Sequence, residues 1–256
     1  MCLLIVKPSG LFVPKKHIEQ GFRGNSDGAG FSYVYDGKVI IQKGFTSVNS
    51  FYAAFKLAEK TVPKSPFVLH MRIGTSGHKG PDNCHPYRTA QGYAFAHNGI
   101  FGEYTDLASE HSDTYHFVKH VVDKLPRHFV HNSAIMKLLD HEAVNTHSKF
   151  AIMTPTKVVI CGESAGVFDR GIWYSNTGYR SREDYLLDYP TVKSYNSLMQ
   201  CKDQDLMSED EWLLEHFSKK TRRSCDECFM PIVGKAIEYL GSKLCQECAK
   251  DYADQY

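Results

Sequence analysis

A cysteine directly behind the initiator methionine leads without a break into an apolar, β-prone run, Met1-Cys2-Leu3-Leu4-Ile5-Val6. Cysteine is small enough for routine removal of the methionine, so the mature chain is expected to begin with Cys2, with a thiol and a free α-amine on one residue. An α-amine titrates near ~7.7 to 8.0 and a thiol near ~8.5, so the amine can relay the thiol's proton without a separate histidine. A plainer explanation is also open, because free cysteine is among the residue types most often buried. Residues farther along the chain decide between the two.

Beyond the first strand, Pro8, Gly10 and Pro14 break regularity before Lys15 to Gln20. Asn25-Ser26-Asp27-Gly28-Ala29-Gly30 is rich in turn formers and feeds a strand from Phe31 to Tyr35. Asp36-Gly37 and a run from Val39 to Phe45 complete a hairpin, since Asp-Gly readily takes the positive φ angles of a two-residue turn. Ser47 is placed to cap a helix that carries Phe51, Phe55 and Ala58 on one face. Phe67 to Arg72 reads as a strand delivering an arginine to the glycine-flexed loop Ile73-Gly74-Thr75-Ser76-Gly77. Guanidinium matches a carboxylate with two parallel hydrogen bonds, so Arg72 suits an anion clamp, although in isolation it reads equally as half of a surface ion pair.

Asn83-Cys84-His85-Pro86 follows as a loop, and Tyr93 to Ala96 runs as a strand into His97-Asn98-Gly99. Asn-Gly after a strand is ordinarily a turn, but it can also offer a side-chain amide and an approachable backbone N–H to a developing oxyanion. Ser112 is placed to cap a helix with Phe117, Val121 and Val122 on its apolar face. Asp113 in its first turn suits the helix dipole or a ligand ammonium. A second short helix is predicted from Ser133 to His141, a hairpin from Phe150 to Met153 and Val158 to Cys161, and a last short strand from Ile172 to Tyr174 before Ser175-Asn176.

Cys2, Asp27-Gly28-Ala29-Gly30, His70 to Gly77, His85-Pro86, Ala96-His97-Asn98-Gly99-Ile100 and Ser112-Asp113-Thr114 resemble, in this order and at these spacings, the class II glutamine amidotransferases. These are N-terminal-nucleophile hydrolases. The resemblance covers residues 2–176 and implies an α+β fold, a four-layer αββα sandwich. It also implies that Cys2 attacks the glutamine side-chain amide with its own α-amine as base, and that Asn98 and the Gly99 N–H hold the oxyanion. Arg72 and Thr75 would bind glutamine together with Asp113, Arg72 at the α-carboxylate and Asp113 at the α-ammonium. This chain carries Ile73 and Ser76 where many members have an aromatic residue and a histidine. No synthase domain is recognisable after the resemblance ends, so ammonia would pass to a separate synthase or substrate.

Residues 177–224 read as a wrapping segment or linker. Within it a helix is expected from Ser208, where Ser208 and Glu211 form a capping box flanked by Met207 and Trp212. Lys219 to Arg223 is either a solvated helix end or a weak phosphate-binding patch. Residues 225–256 then contain Cys225 and Cys228, an intervening sixteen residues, and Cys245 and Cys248, which is tetrathiolate zinc spacing. All four positions are protein ligands, so the zinc is expected to be structural. Ile232 to Leu240 is expected to form a hairpin between the pairs, and no organic cofactor is implied. His116 and His120 share a helix face without a flanking carboxylate motif and are not assigned to a metal.

Composition bounds these readings. With 256 residues, 42% hydrophobic and 23% charged, the chain suits one large domain and a small appendage. A formal net charge of +1 supplies no global attraction to nucleic acid or to an anionic membrane. No apolar run approaches the ~18 residues of a membrane span and no basic segment precedes the apolar start, so a cytoplasmic location is expected. The pairing of four cysteines near the C-terminus, with the others single, fits a reducing compartment. Besides the glutaminase reading, two others stay open: an N-terminal-nucleophile amidohydrolase acting on another γ-glutamyl-type amide, and a nucleic-acid- or protein-binding module on an inactive hydrolase-like scaffold.

Overall fold

The structure, a computed structural model, describes residues 2–74, 77–181, 184, 237–239 and 242–244. The chain divides into two compact units, Met1–Thr191 and Val192–Tyr256. In the first, strands β1 (Leu3–Lys7), β2 (Gly28–Tyr35), β3 (Lys38–Phe45) and β4 (Phe67–Arg72) are joined by helices α1 (Lys15–Gly24) and α2 (Val48–Thr61). Strands β5 (Tyr87–Arg88) and β6 (Ala94–Asn98), helices α3 (Asp113–His120) and α4 (Ser133–Asn145), and strands β7 (Lys149–Met153), β8 (Val158–Cys161), β9 (Val167–Asp169) and β10 (Ile172–Tyr174) follow. One six-stranded sheet has the order β3-β2-β4-β1-β10-β9 and a four-stranded sheet the order β5-β6-β7-β8, with every neighbouring pair antiparallel.

Strand β1 lies inside the larger sheet and every one of its residues is buried. Because successive side chains point to opposite faces, the run Leu3-Leu4-Ile5-Val6 feeds two cores. Leu3 and Ile5 join Phe31, Leu69 and Met71 under α1 and α2, against Ile18, Phe22, Phe51 and Phe55. Leu4 and Val6 pack with Val68 against Ala94, Ala96, Ala151 and Met153 of the smaller sheet. The other face of that sheet, through Phe95, Phe150 and Ile152, is covered by Phe117, Val118, Leu139 and Ala143 of α3 and α4. The layers therefore run helix, sheet, sheet, helix. Small alanines line one side of the inter-sheet core, which lets the two backbones approach closely. Lys7, only 1% exposed, ends β1 with Nζ 3.5 Å from Glu59 and 5.0 Å above the Phe67 ring.

Several expectations shift at their edges. Strand β2 begins at Gly28, inside the segment expected to be turn, because its glycines serve close approach to neighbouring chain and not reversal. A Cβ on Gly30 would stand 2.3 Å from the His85 carbonyl oxygen and 2.6 Å from the Lys43 Cβ. Asp36 and Gly37 both take positive φ, as the hairpin requires. Ser47 occupies the N-cap of α2, yet its side chain makes no capping bond. Ser112 does cap α3, accepting the Tyr115 N–H at 3.3 Å, but α3 stops at His120 and Val122 is buried from a short 3-10 turn. Helix α4 runs past His141 to Asn145, and β5 and β9 are additions.

In the second unit, β11 (Ile237–Tyr239) pairs antiparallel with β12 (Ser242–Leu244), Tyr239 opposite Ser242. That hairpin lies between the two cysteine pairs and turns later than the expected 232–240 span. The helix from Ser208, the basic run Lys219 to Arg223, the cysteines Cys225, Cys228, Cys245 and Cys248, and Thr75 lie outside the described residues. Among the described residues no helix is long and apolar enough to cross a membrane.

The packing around Gly30 yields a test of the fold. Gly30→Ala is expected to lower stability by about 1 to 3 kcal/mol, since two of the three nearest atoms are backbone oxygens with no rotamer to retreat into. Urea denaturation of the two proteins side by side measures it, and equal midpoints would mean that the hairpin and the His85 loop separate freely.

Candidate active site

The register of β1 sets the site. Leu3 pairs with Met71 of β4 and Ile5 with Tyr174 of β10, so the residues just beyond these pairs, Cys2, Arg72, Ser175 and Asn176, emerge at the same end of the sheet. Cys2 is a free thiol, and its Sγ meets the backbone of Ile73 on two sides: it donates to the carbonyl oxygen and accepts the N–H, each at 3.4 Å. Burial pushes the Cys2 thiol pKa up, while the Ile73 N–H and the Arg72 guanidinium pull it back toward the ordinary range.

The cavity beside Cys2 is lined by Arg72, Ile73, His85, His97, Gly99, Ser112, Asp113 and Thr114. Its free volume is about 20 Å³, room for about one water. Gly99 sits at φ +154°, and a Cβ there would stand 2.2 Å from Ser148 Oγ and 2.8 Å from His97 Nε2. Only glycine fits there, and Gly99 forms part of the cavity wall. Asp113, in the first turn of α3, accepts the Phe101 N–H at 2.7 Å. Asn98 is 2% exposed at the end of β6, and its Nδ2 donates to Ser175 Oγ at 2.7 Å. Ser175 Oγ also accepts the Leu4 N–H at 2.9 Å, and Asn176 Nδ2 donates to the Cys2 carbonyl oxygen at 2.7 Å.

The loop after Arg72 is braced from both sides. Asp27 donates its N–H to the Arg72 carbonyl at 3.0 Å and accepts the Gly74 N–H at 2.8 Å and Lys79 Nζ at 2.9 Å. The Gly74 and Lys79 donors together hold its carboxyl below the usual carboxylate range. Asn83 Oδ1 accepts the Ser112 N–H at 2.9 Å and the Tyr87 hydroxyl at 3.1 Å, while its Nδ2 donates to the carbonyls of His78 and Glu110.

Three buried histidines meet here, His85 and His97 in the cavity wall and His70 against His85. The rings of His70 and His85 stand 4.2 Å apart, His85 Nδ1 lies 3.0 Å from the His97 carbonyl oxygen, and His97 Nδ1 lies 2.8 Å from Thr114 Oγ1. The His97 ring stacks on Phe101 at 4.0 Å. Burial lowers His70 and His97 to about 3 and His85 well below its ordinary value, so all three are neutral at physiological pH.

Of the residues singled out from sequence, Cys2, Arg72, Gly99 and Asp113 share the cavity wall, Asn98 lies behind it, and Thr75 is outside the described residues. Ser175 and Asn176 were legible only as polar residues following a short strand. Asn83 and His97 stood within quoted loops without an assigned part. Among the described residues no group of three or more His, Cys, Asp or Glu side chains is placed to hold a metal.

Among the solved structures to which the chain is similar are the following two. Glutamine phosphoribosylpyrophosphate (PRPP) amidotransferase from B. subtilis, complexed with ADP and GMP, overlaps at 16% identity with a TM-score of 0.44, covering 68% of this chain and 41% of that one. A glutamine aminotransferase class-II domain protein from Silicibacter pomeroyi overlaps at 12% identity with a TM-score of 0.37, covering 68% of this chain and 87% of that one. The chain thus spans less than half the length of the first. No protein-family model and no curated protein sequence matches the chain.

The neutral histidines make stability pH-dependent in a defined direction. In the unfolded chain each titrates near ~6.5, so between about pH 6.5 and 3 the unfolded state binds more protons and stability falls as pH falls. Above pH ~6.5 their contribution is complete. The slope approaches about 1.4 kcal/mol per pH unit for each histidine, with His17 adding in the same direction. Urea titrations at intervals from pH 7 to 5 measure this, and a flat profile would show that the histidines titrate in the fold as they do in the unfolded chain.

Proposed function

We propose that this chain is a glutaminase of the class II glutamine amidotransferase type, with the fold of an N-terminal-nucleophile hydrolase. The convergence of Cys2, Arg72, Gly99 and Asp113, from four separate segments, on one cavity carries this conclusion. Among the lining residues Arg72 is the cation and Asp113 the carboxylate, a pairing complementary to the zwitterionic end of a free amino acid. A nucleophile and an oxyanion donor at the other side of the same cavity suit its side-chain amide.

In this reading, Cys2 Sγ attacks the δ-carbon of glutamine as its proton passes to the Cys2 α-amine. The carbonyl oxygen becomes an oxyanion held by the Gly99 N–H and the second amide hydrogen of Asn98. The first hydrogen is already given to Ser175. Collapse of the tetrahedral species breaks the C–N bond. The amine returns the proton to the leaving nitrogen, and ammonia departs, leaving a Cys2 thioester. Water then attacks the thioester, and glutamate and the free thiol are regenerated. Arg72 takes the α-carboxylate and Asp113 the α-ammonium, with Thr75 as a further binding residue, and the ammonia goes to a separate acceptor. The cavity has room for about one water, so glutamine enters only with displacement of part of its wall.

Cys2→Ala is expected to abolish ammonia release from glutamine without loss of fold, and retention of Met1 should do nearly the same by converting the α-amine to an amide. Arg72→Lys is expected to raise KM about ten- to a hundredfold, the loss of one charge-assisted contact of about 1.5 to 3 kcal/mol. Steady-state glutaminase assays with intact-mass analysis check both. Full activity in protein carrying Met1, or hydrolysis confined to another γ-glutamyl amide, would overturn the mechanism or the substrate respectively.

For the second unit we propose one structural zinc ion held by Cys225, Cys228, Cys245 and Cys248, on the strength of their spacing. Residues 225–256 by themselves would bury too little core to fold without such a staple. Metal analysis of purified protein is expected to give one zinc per chain, and chelation is expected to leave Cys2 reactive toward a glutamine-analogue electrophile. Absence of zinc would remove the assignment.

A further inference from the structure

Three side-chain hydrogen bonds and one backbone hydrogen bond tie the two residues after β10 to the site, and neither residue lines the cavity. Ser175 is fully buried, and its Oγ accepts two donors, the Leu4 N–H at 2.9 Å and Asn98 Nδ2 at 2.7 Å. The Ser175 N–H in turn donates to the Leu4 carbonyl at 2.9 Å, so this residue is pinned to β1 at both its backbone and its side chain. Asn176 Nδ2 donates to the Cys2 carbonyl oxygen at 2.7 Å. We propose that Ser175 and Asn176 are positioning residues, a clasp that fixes the oxyanion donor and the nucleophile relative to one another. For the chemistry it serves, this rests on the glutaminase reading above.

Asn98 belongs to the smaller sheet and Cys2 precedes a strand of the larger one. Nothing in the pairing of either sheet alone sets the angle between a carboxamide on one and a thiol on the other. The terminal torsion of asparagine is broad and nearly two-fold, so an untethered carboxamide would turn either its N–H or its oxygen toward the oxyanion. In the structure the Asn98 amide presents its nitrogen to Ser175 Oγ, and with that contact made the direction of its second N–H is fixed by the amide plane. The same hydroxyl is referenced to Leu4, two residues from the nucleophile. Asn176 completes the arrangement at Cys2 itself. Holding the Cys2 carbonyl fixes the rotation of the first peptide plane against the Cα that carries both the thiol and the α-amine. Misplacement of a reacting group by about 1 Å can cost on the order of a hundredfold in rate, so two side chains outside the cavity can govern turnover.

A residue that only ties sheet to sheet would affect stability and leave the reaction untouched, and the experiment separates the two. Glutaminase kinetics are measured on the full chain for wild type, Ser175→Ala, Asn98→Ala and the double variant, together with thermal midpoints. If Ser175 acts through Asn98, Ser175→Ala lowers kcat about ten- to a hundredfold with KM little changed, and costs nothing further once Asn98 is alanine. An equal loss in both backgrounds, or a loss carried by KM, overturns its part. In parallel, the rate of Cys2 alkylation by iodoacetamide is followed against pH in wild type and in Asn176→Ala, whose side chain is only partly buried and whose loss leaves the core intact. The midpoint is expected to move by at least about half a pH unit, and an unchanged profile overturns the Asn176 assignment. That measurement needs no substrate, so wild-type protein that releases no ammonia from glutamine would refute the glutaminase reading while the alkylation profile still decides the clasp.

Discussion

The pairing of β1 with β4 on one side and β10 on the other is the constraint on which the rest depends. Side chains alternate along a strand, so a slip of one residue would turn Leu3 and Ile5 out of the helix-side core and Leu4 and Val6 out of the inter-sheet core. Burying four such side chains is worth on the order of 6 to 12 kcal/mol, comparable to the whole net stability of a domain. The same slip would carry Cys2 away from Arg72 and Ser175, because both arrive through the partners of β1. Core and site are therefore set by one register, and no local contact at the cavity needs to be strong enough to hold the thiol in place by itself.

The wall of the cavity follows from what burial permits. Two imidazoles, those of His85 and His97, line it and that of His70 stands against His85, and cationic forms there would cost desolvation and repel one another and Arg72, so burial keeps them neutral. Their neutrality leaves Arg72 and Asp113 as the charges that a molecule in the cavity meets. Asp27 and Asn83 act one step back, satisfying the backbone of the loops that carry Arg72 and Ser112. Lys7 shows the contrasting solution at the far end of β1. Burial lowers its pKa while Glu59 raises it, and the two effects meet in an ion pair at 3.5 Å.

Much of this was legible in the sequence wherever a local rule and a tertiary need coincide. The Asp36-Gly37 hairpin, the aromatic face of α2, the Ser112 cap and the β7–β8 hairpin all follow from residue type and period. Legibility failed where the cause is a distant neighbour. Gly28 and Gly30 read as turn formers because the approach of residues 84 and 85, which only glycine allows, cannot be inferred from their own surroundings. Strands β5 and β9, two and three residues long, carry too short a pattern to register as period two. Cys2, Arg72, Gly99 and Asp113 were found as an ordered set of weak motifs, and their common cavity required the fold. Ser175 and Asn176 left no signal beyond polarity, since their partners lie 77 to 174 residues away.

The electrostatics at Cys2 bear on how such a site can work. A nucleophile kept permanently as thiolate would need a strongly positive, solvated setting, and here burial works against the anion and outweighs Arg72 and the Ile73 N–H. A resting thiol with a base on the same residue resolves the conflict. In the proposed reaction, the proton moves only as the carbon–sulfur bond forms, so the charge appears on the carbonyl oxygen, where donors wait, and not on a sulfur that the pocket penalises. Such a scheme tolerates a buried thiol but demands accurate orientation of the α-amine. The peptide plane that follows Cys2 is held by Asn176, and every residue of the strand after it is buried.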